Sequence, residues 1–162
     1  MTIAFRPSTP DRAGSTLVSS GRVVGGLTSS EQFVLWALRQ WTADGEATSP
    51  VLVHGFRLAF GLARLERALA AFEGLAQRLR LAGLVGPLRC ASVSGSEEEV
   101  LMLLAVAQSG DGPCLGALAG RLAPEAASGL ADAARALAAG LLGAGLALPS
   151  ATPVPGSGPM LH

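Results

Sequence analysis

Chemistry in this chain would have to begin from very few side chains: the thiols of Cys90 and Cys114, the imidazoles of His54 and His162, and the carboxylates of Glu97-Glu98-Glu99. A zinc site gathered from Cys90, Cys114, His54 and a carboxylate lacks the closely paired ligands that mark such sites. A nucleophilic pair of Cys90 and His54 needs hydrogen-bond reach, which spacing alone does not supply. Cys90 follows Pro87-Leu88-Arg89 in a connection, so Arg89 could lower its pKa and make Cys90 a candidate reactive thiol. Free cysteine is also among the most buried residue types, and the reading we favour is a small, mostly unreactive apolar plug. Three consecutive helical carboxylates point in different directions, so Glu97-Glu98-Glu99 read as a complement to the positive end of a helix dipole. Gly25-Gly26 and Gly143-Ala144-Gly145 lack the strand-to-helix context of a dinucleotide fingerprint, and Trp36 and Trp41 read as core. No catalytic, cofactor-binding or metal-ligating residue is assigned.

Composition narrows the classes further. All 12 basic residues are arginine, which excludes chemistry that needs a lysine amine, and asparagine is absent, which excludes N-glycosylation. The apolar fraction of 49% is mainly Leu and Ala, with Ile3 the lone isoleucine and no tyrosine, a balance that favours helices over strands. No apolar run reaches the roughly 18 residues of a membrane span, because Asp132 and Arg135 interrupt the last candidate. The start, Met1-Thr2-Ile3-Ala4-Phe5-Arg6-Pro7, lacks a secretory pattern, so a cytoplasmic protein with reduced thiols is expected.

The elements that must position these residues form one all-α domain, a single compact bundle of about five helices over residues 28–148. It lies between a poorly ordered N-terminal segment, 1–27, and a flexible Pro/Gly-rich tail, 149–162. A marginal hairpin of Thr16-Leu17-Val18 with Arg22-Val23-Val24 is the one extended element expected. Thr28 or Ser29, with Glu31 or Gln32, caps a first helix running to about Thr42, apolar on nearly every side and therefore expected to be central, with only Gln32, Arg39 and Gln40 left to water or a polar partner. Ser49-Pro50 starts a second helix whose seam Val51, Gly55, Leu58, Leu62, Leu65, Leu69, Phe72, Ala76, Leu79 alternates steps of four and three. If continuous it reaches about Arg80, with a kink expected near Gly61; the spacing does not fix whether it is continuous. Ser94 or Ser96 caps a third helix to Ser109, a short fourth spans Cys114 to Leu122, and Pro124 opens a fifth ending near Gly143.

Arg57, Arg64 and Arg78 share one heptad position of the second helix and Arg67 lies on the adjacent exposed one. None has an acidic residue three or four positions away, so these four are the candidate partner-binding residues, with at least two expected to stay exposed. Charge is uneven, basic over residues 51–90 and acidic over 91–135, and an internal complement between the two stretches is the simplest expectation.

The segments Leu35-Trp36-Ala37-Leu38-Arg39, Cys90 in a connection, Glu99-Val100-Leu101-Met102-Leu103-Leu104 and a closing Gly145-Leu146-Ala147-Leu148-Pro149 resemble a group of small bacterial all-helical proteins. The resemblance spans about Ser29 to Pro149 and implies the same fold. That group has no assigned activity, so no site residue is implied. We rank a non-catalytic protein-interaction or regulatory module first. An Arg-mediated nucleic-acid binder comes second, since net charge is zero and aromatic residues are not interleaved with the arginines. A small enzyme or redox sensor centred on Cys90 comes third. A protein partner is thus expected ahead of nucleic acid, with no cofactor.

Overall fold

The computed structural model describes residues 19–43, 49–87 and 89–150. The described residues form an all-α bundle of six helices: α1 Ser29–Ala43, α2 Pro50–Leu62, α3 Leu69–Leu81, α4 Gly95–Ser109, α5 Gly112–Leu122 and α6 Ala127–Gly143. A two-stranded antiparallel ribbon, β1 Ser19–Val23 with β2 Ser92–Ser94, leads the chain toward α1 and α4. Its register pairs Ser19 with Ser94 and Val23 with Ser92, with an irregularity between them, and Val24 N–H extends it by donating to Ala91 C=O at 2.9 Å.

This ribbon corrects the expected local hairpin. The expected turn Ser19-Ser20-Gly21 lies within β1, whose partner is a segment far along the chain, and described structure already precedes Thr28; Thr16-Leu17-Val18 lie outside the described residues. Residues 1–18 and 151–162, which hold most of the expected tails, lie outside the described residues.

The expected long second helix is two helices. After Leu62 the backbone turns through Arg64 at φ 58°, the left-handed region. Leu65 N–H donates to Phe60 C=O and Arg64 N–H to Gly61 C=O, the paired bonds of a Schellman cap, with arginine where glycine is usual. The same bonds, with glycine in that place, close α3 at Gly83 and α6 at Gly145. A 3-10 turn, Glu66–Ala68, then re-aims the chain into α3. The apolar seam continues across the break, but the two halves face different surroundings. Leu65, Phe72, Ala76 and Leu79 are buried, whereas Val51, Leu58 and Leu62 face water.

The centre of the bundle is α6 rather than α1. It packs on α3, α4 and α5, and Leu130, Ala134, Leu137, Ala138 and Leu141 are all essentially inaccessible. Its small residues allow this: a Cβ on Gly140 would stand 2.5 Å from Ala68 Cβ, so the helix passes the 3-10 turn at backbone distance. On α1, by contrast, Trp36 is 44% exposed, a correction to its reading as core. Trp41 is half-buried and meets Phe56 and Phe72 edge-on at 5.4 and 5.8 Å. Phe56, Phe60 and Phe72 are buried together, with Phe60 and Phe72 5.0 Å apart between ring centres. Two of these rings come from α2, which they anchor to the bundle.

Replacing Gly140 by Val forces side-chain atoms into Ala68, an overpacking expected to destabilise by about 1–3 kcal/mol. Chemical denaturation of Gly140→Val beside Gly143→Val, whose Cβ position is open, measures it. Equal stabilities would mean that α6 does not approach the 3-10 turn this closely.

Candidate functional site

The polar centre of the molecule is Glu97, in the first turn of α4. Ser94 opens that helix with a reciprocal capping box: its Oγ accepts from Glu97 N–H at 3.2 Å, and its own N–H donates to Glu97 Oε2 at 2.9 Å. The same carboxylate takes Arg39 from α1, with Nε on Oε1 at 2.7 Å and Nη2 on Oε2 at 2.8 Å, and Gly86 N–H on Oε1 at 3.0 Å. Arg39 also donates to the carbonyls of Cys90 and Ser92, the latter at 2.8 Å. Both side chains are almost fully buried, 3% and 1% exposed. A desolvated ion pair is tolerated only where its hydrogen-bonding capacity is met, and here it is.

Burial on its own pushes the Glu97 carboxyl pKa up. The Arg39 hydrogen bonds, then those of the Ser94 and Gly86 backbone and the Arg39 charge, outweigh it and hold the pKa below the ordinary value. A second box at the start of α1 works likewise. Thr28 N–H and Oγ1–H donate to Glu31 Oε2 at 2.8 and 2.9 Å, and Arg22 Nη2 donates to Oε1 at 3.0 Å. There too burial pushes the pKa up, and the Thr28 and Arg22 hydrogen bonds bring it below normal.

The three consecutive glutamates therefore do more than complement a dipole. Glu97 holds Arg39 of α1, Glu98 lies 3.6 Å from Arg22 of β1, and Glu99 pairs with Arg121 of α5. These partners replace the expected complement from the basic stretch 51–90.

Cys90 sits at the edge of this centre. It lines a recess of about 60 Å³ together with Arg39, Gly86, Pro87, Ser92, Ser94 and Glu97, and it is half-buried rather than an enclosed plug. Its Sγ lies 3.1 Å from Ser92 Oγ. Hydrogen bonding from the Ser92 side chain and backbone lowers the thiol pKa, burial opposes this, and the Arg39 charge adds to the lowering. The cation acting on Cys90 is thus Arg39, not the expected Arg89. Cys114 is exposed in the first turn of α5, where its N–H donates to Asp111 Oδ1 at 3.0 Å. Among the described residues no group of three His, Cys, Asp or Glu side chains is placed to hold a metal ion. His54 is exposed on α2 and does not line the recess.

The candidate partner-binding arginines divide. Arg57 on α2, Arg64 in the left-handed turn and Arg67 in the 3-10 turn are exposed. Arg78 on α3 is half-buried, donating to Gly74 C=O at 2.8 Å and lying against α6 at Gly129, where a Cβ would come 2.9 Å from its Nε. The break at Arg64 leaves Arg57 on α2 before it and Arg67 and Arg78 after it, so the four do not form one continuous stripe.

The most exposed apolar side chains among the described residues include Val51 at 82%, Leu58 at 56% and Leu62 at 89%, one face of α2, whose opposite face carries the buried Phe56 and Phe60. The half-exposed Trp36 stands 6.0 Å from Phe56, beside that helix. Among the described residues no helix is long and apolar enough to cross a membrane. Comparison with known proteins finds no matching family model, no matching curated protein and no matching solved structure.

Arg39→Met, which leaves Glu97 charged, buried and without its cation, is expected to cost about 3–5 kcal/mol. Adding Glu97→Gln to that variant restores part of the loss, because glutamine keeps a capping-box side chain without the charge. Urea unfolding of both single variants and the double variant reads this directly; strictly additive losses would show that the two side chains act independently.

The lowered pKa of Glu97 and Glu31 fixes the sign of the acid response. Their stabilisation is fully present above the ordinary carboxyl value of 4.5 and is lost as pH falls through the lower folded-state values. Glu97→Gln flattens the acid limb of a stability–pH curve, and an acid limb unchanged from the parent counts against a folded Glu97 pKa below normal.

For Cys90, the half-exposed thiol and its lowered pKa predict alkylation of native Cys114→Ser protein with a midpoint below the ordinary thiol value of 9.0, raised by Ser92→Ala. Protection of the native thiol comparable to that of a buried residue would restore the plug reading.

Proposed function

We propose that this protein is a non-catalytic protein-interaction module and that α2 is its docking element. One observation carries the reading: α2 is apolar on two faces and, among the described residues, the bundle uses only one. Phe56 and Phe60, 2% and 1% exposed, hold it in the aromatic cluster, while Val51, Leu58 and Leu62 lie along the other side with most of their surface in water. A row of large aliphatic side chains at helical spacing is a feature of helix-to-helix recognition, and contiguous exposed apolar surface marks interaction sites. Gly55 falls in the same row, and nothing stands within 4 Å of where its Cβ would be, so a partner backbone can approach closely there. Nucleic-acid binding ranks lower because Arg78 is folded against α6 and the face beside the remaining arginines is aliphatic.

If this face serves binding rather than folding, Leu58→Ser and Leu62→Ser each leave stability within about 0.5 kcal/mol of the parent, whereas Phe60→Ala costs about 3–5 kcal/mol. A photo-crosslinking residue at position 58 or 62, expressed in the source cells, yields a discrete adduct that the same residue at Leu142, exposed on α6, does not. Serine variants that unfold the domain, or adducts equally abundant at all three positions, would remove the docking reading.

A further inference from the structure

The charge around that face identifies the kind of partner. On helical spacing, His54, Arg57 and Gly61 form a row parallel to Val51, Gly55, Leu58 and Leu62, and Arg64 follows the same steps just beyond the helix end. His54, Arg57 and Arg64 are exposed, and Arg67 is exposed in the turn that follows. Among the described residues neither Arg57, Arg64 nor Arg67 has an ion-pair partner within 4.0 Å. Glu66 lies beside Gly61, 3.8 Å from where its Cβ would be, and joins none of those pairs. The apolar row is therefore edged on one side by exposed cations that form no ion pair among the described residues.

Resting on the docking reading above, we infer that the partner is an acidic amphipathic helix of another protein, seating its apolar seam on Val51, Leu58 and Leu62 and its Asp or Glu side chains against Arg57 and Arg64.

A second copy of this chain fits less well. From Pro50 to Leu62 there is no Asp or Glu, so a second α2 laid along the first in either direction sets His54 and Arg57 opposite neutral or basic side chains. An anionic lipid surface fits less well for a different reason. Interfacial helices turn their aromatic side chains toward the acyl boundary, and the two aromatic residues of α2, Phe56 and Phe60, are turned into the protein core. Guanidinium groups take carboxylates in paired hydrogen bonds, so arginine rather than lysine along this edge suits a carboxylate-bearing helix.

The test uses the purified full chain and three fluorescent synthetic helical peptides with the same leucine seam, flanked by Glu, Gln or Lys. Fluorescence anisotropy is expected to show the Glu peptide binding about tenfold or more tighter than the Lys peptide, an advantage that shrinks as added salt screens the charges. Arg57→Glu with Arg64→Glu is expected to reverse the order, and Leu62→Ser to weaken all three peptides alike. Three equal affinities, each lost on Leu62→Ser, would overturn the acidic partner and leave α2 as a docking face. No binding to any peptide would overturn the acidic partner too, and joined to the absence of crosslinks at positions 58 and 62 it would overturn the docking reading as well. Sedimentation as a dimer that Leu58→Glu dissociates, or flotation with phosphatidylglycerol vesicles, would replace the proposed partner by a second copy or a lipid surface.

Discussion

A carboxylate removed from water must be given donors, and the way this chain supplies them to Glu97 organises the whole bundle. Two of the donors are the guanidinium of Arg39 in α1, one is the N–H of Gly86 after α3, and one is the N–H of Ser94 at the end of β2. Arg39 spends its remaining capacity on the carbonyls of Cys90 and Ser92, so the segment between α3 and α4 is held from both sides. Around that centre the neighbouring glutamates reach β1 and α5. The start of α4 is thereby tied to four other parts of the chain through side chains three residues wide in sequence. Packing around α6 supplies the apolar half of the architecture, and this cluster supplies its polar alignment.

Much of this was legible in the sequence as local grammar. Capping boxes at Thr28 or Ser29 and at Ser94 or Ser96, the Ser49-Pro50 start and the all-helical class all follow from residue types at short spacing, and the structure takes Thr28 and Ser94 as the caps. What was not legible is long-range. Arg39 carries no local sign that it will be buried, because on α1 it is one of several polar residues of a largely apolar helix; its fate is decided by a carboxylate 58 positions away. The β1–β2 pairing was missed for the same reason: two short, serine-rich strands have little intrinsic tendency to find each other, and it is α1 and α4 that bring them together.

The break between α2 and α3 shows a different limit. Neither proline nor glycine stands at position 64, and arginine does not announce a left-handed helix end; the nearest sign in the sequence, Gly61, points to a kink and not to a stop. The hydrophobic rhythm runs straight through it, so periodicity alone reads one helix where the fold places two. Rhythm records which side chains are apolar, not what lies opposite them; Leu62 and Leu65 belong to one seam and finish 89% and 1% exposed. The candidate docking face was therefore visible as a pattern and invisible as a surface until the turn was known.

The buried Arg39–Glu97 pair has one more implication, for uniqueness of the fold. Helices built so largely of Leu and Ala offer many near-equivalent ways to slide or rotate against one another, since one leucine fits a neighbour's groove much as the next does. A charge pair does not share that tolerance. A slip of α1 by one turn would keep most apolar contacts and strand two full charges in a dry interior, so the alternative arrangements that greasy surfaces permit are removed by electrostatics rather than by shape. In a bundle this rich in interchangeable side chains, a single arginine and a single glutamate serve as the index marks that set α1 against α4.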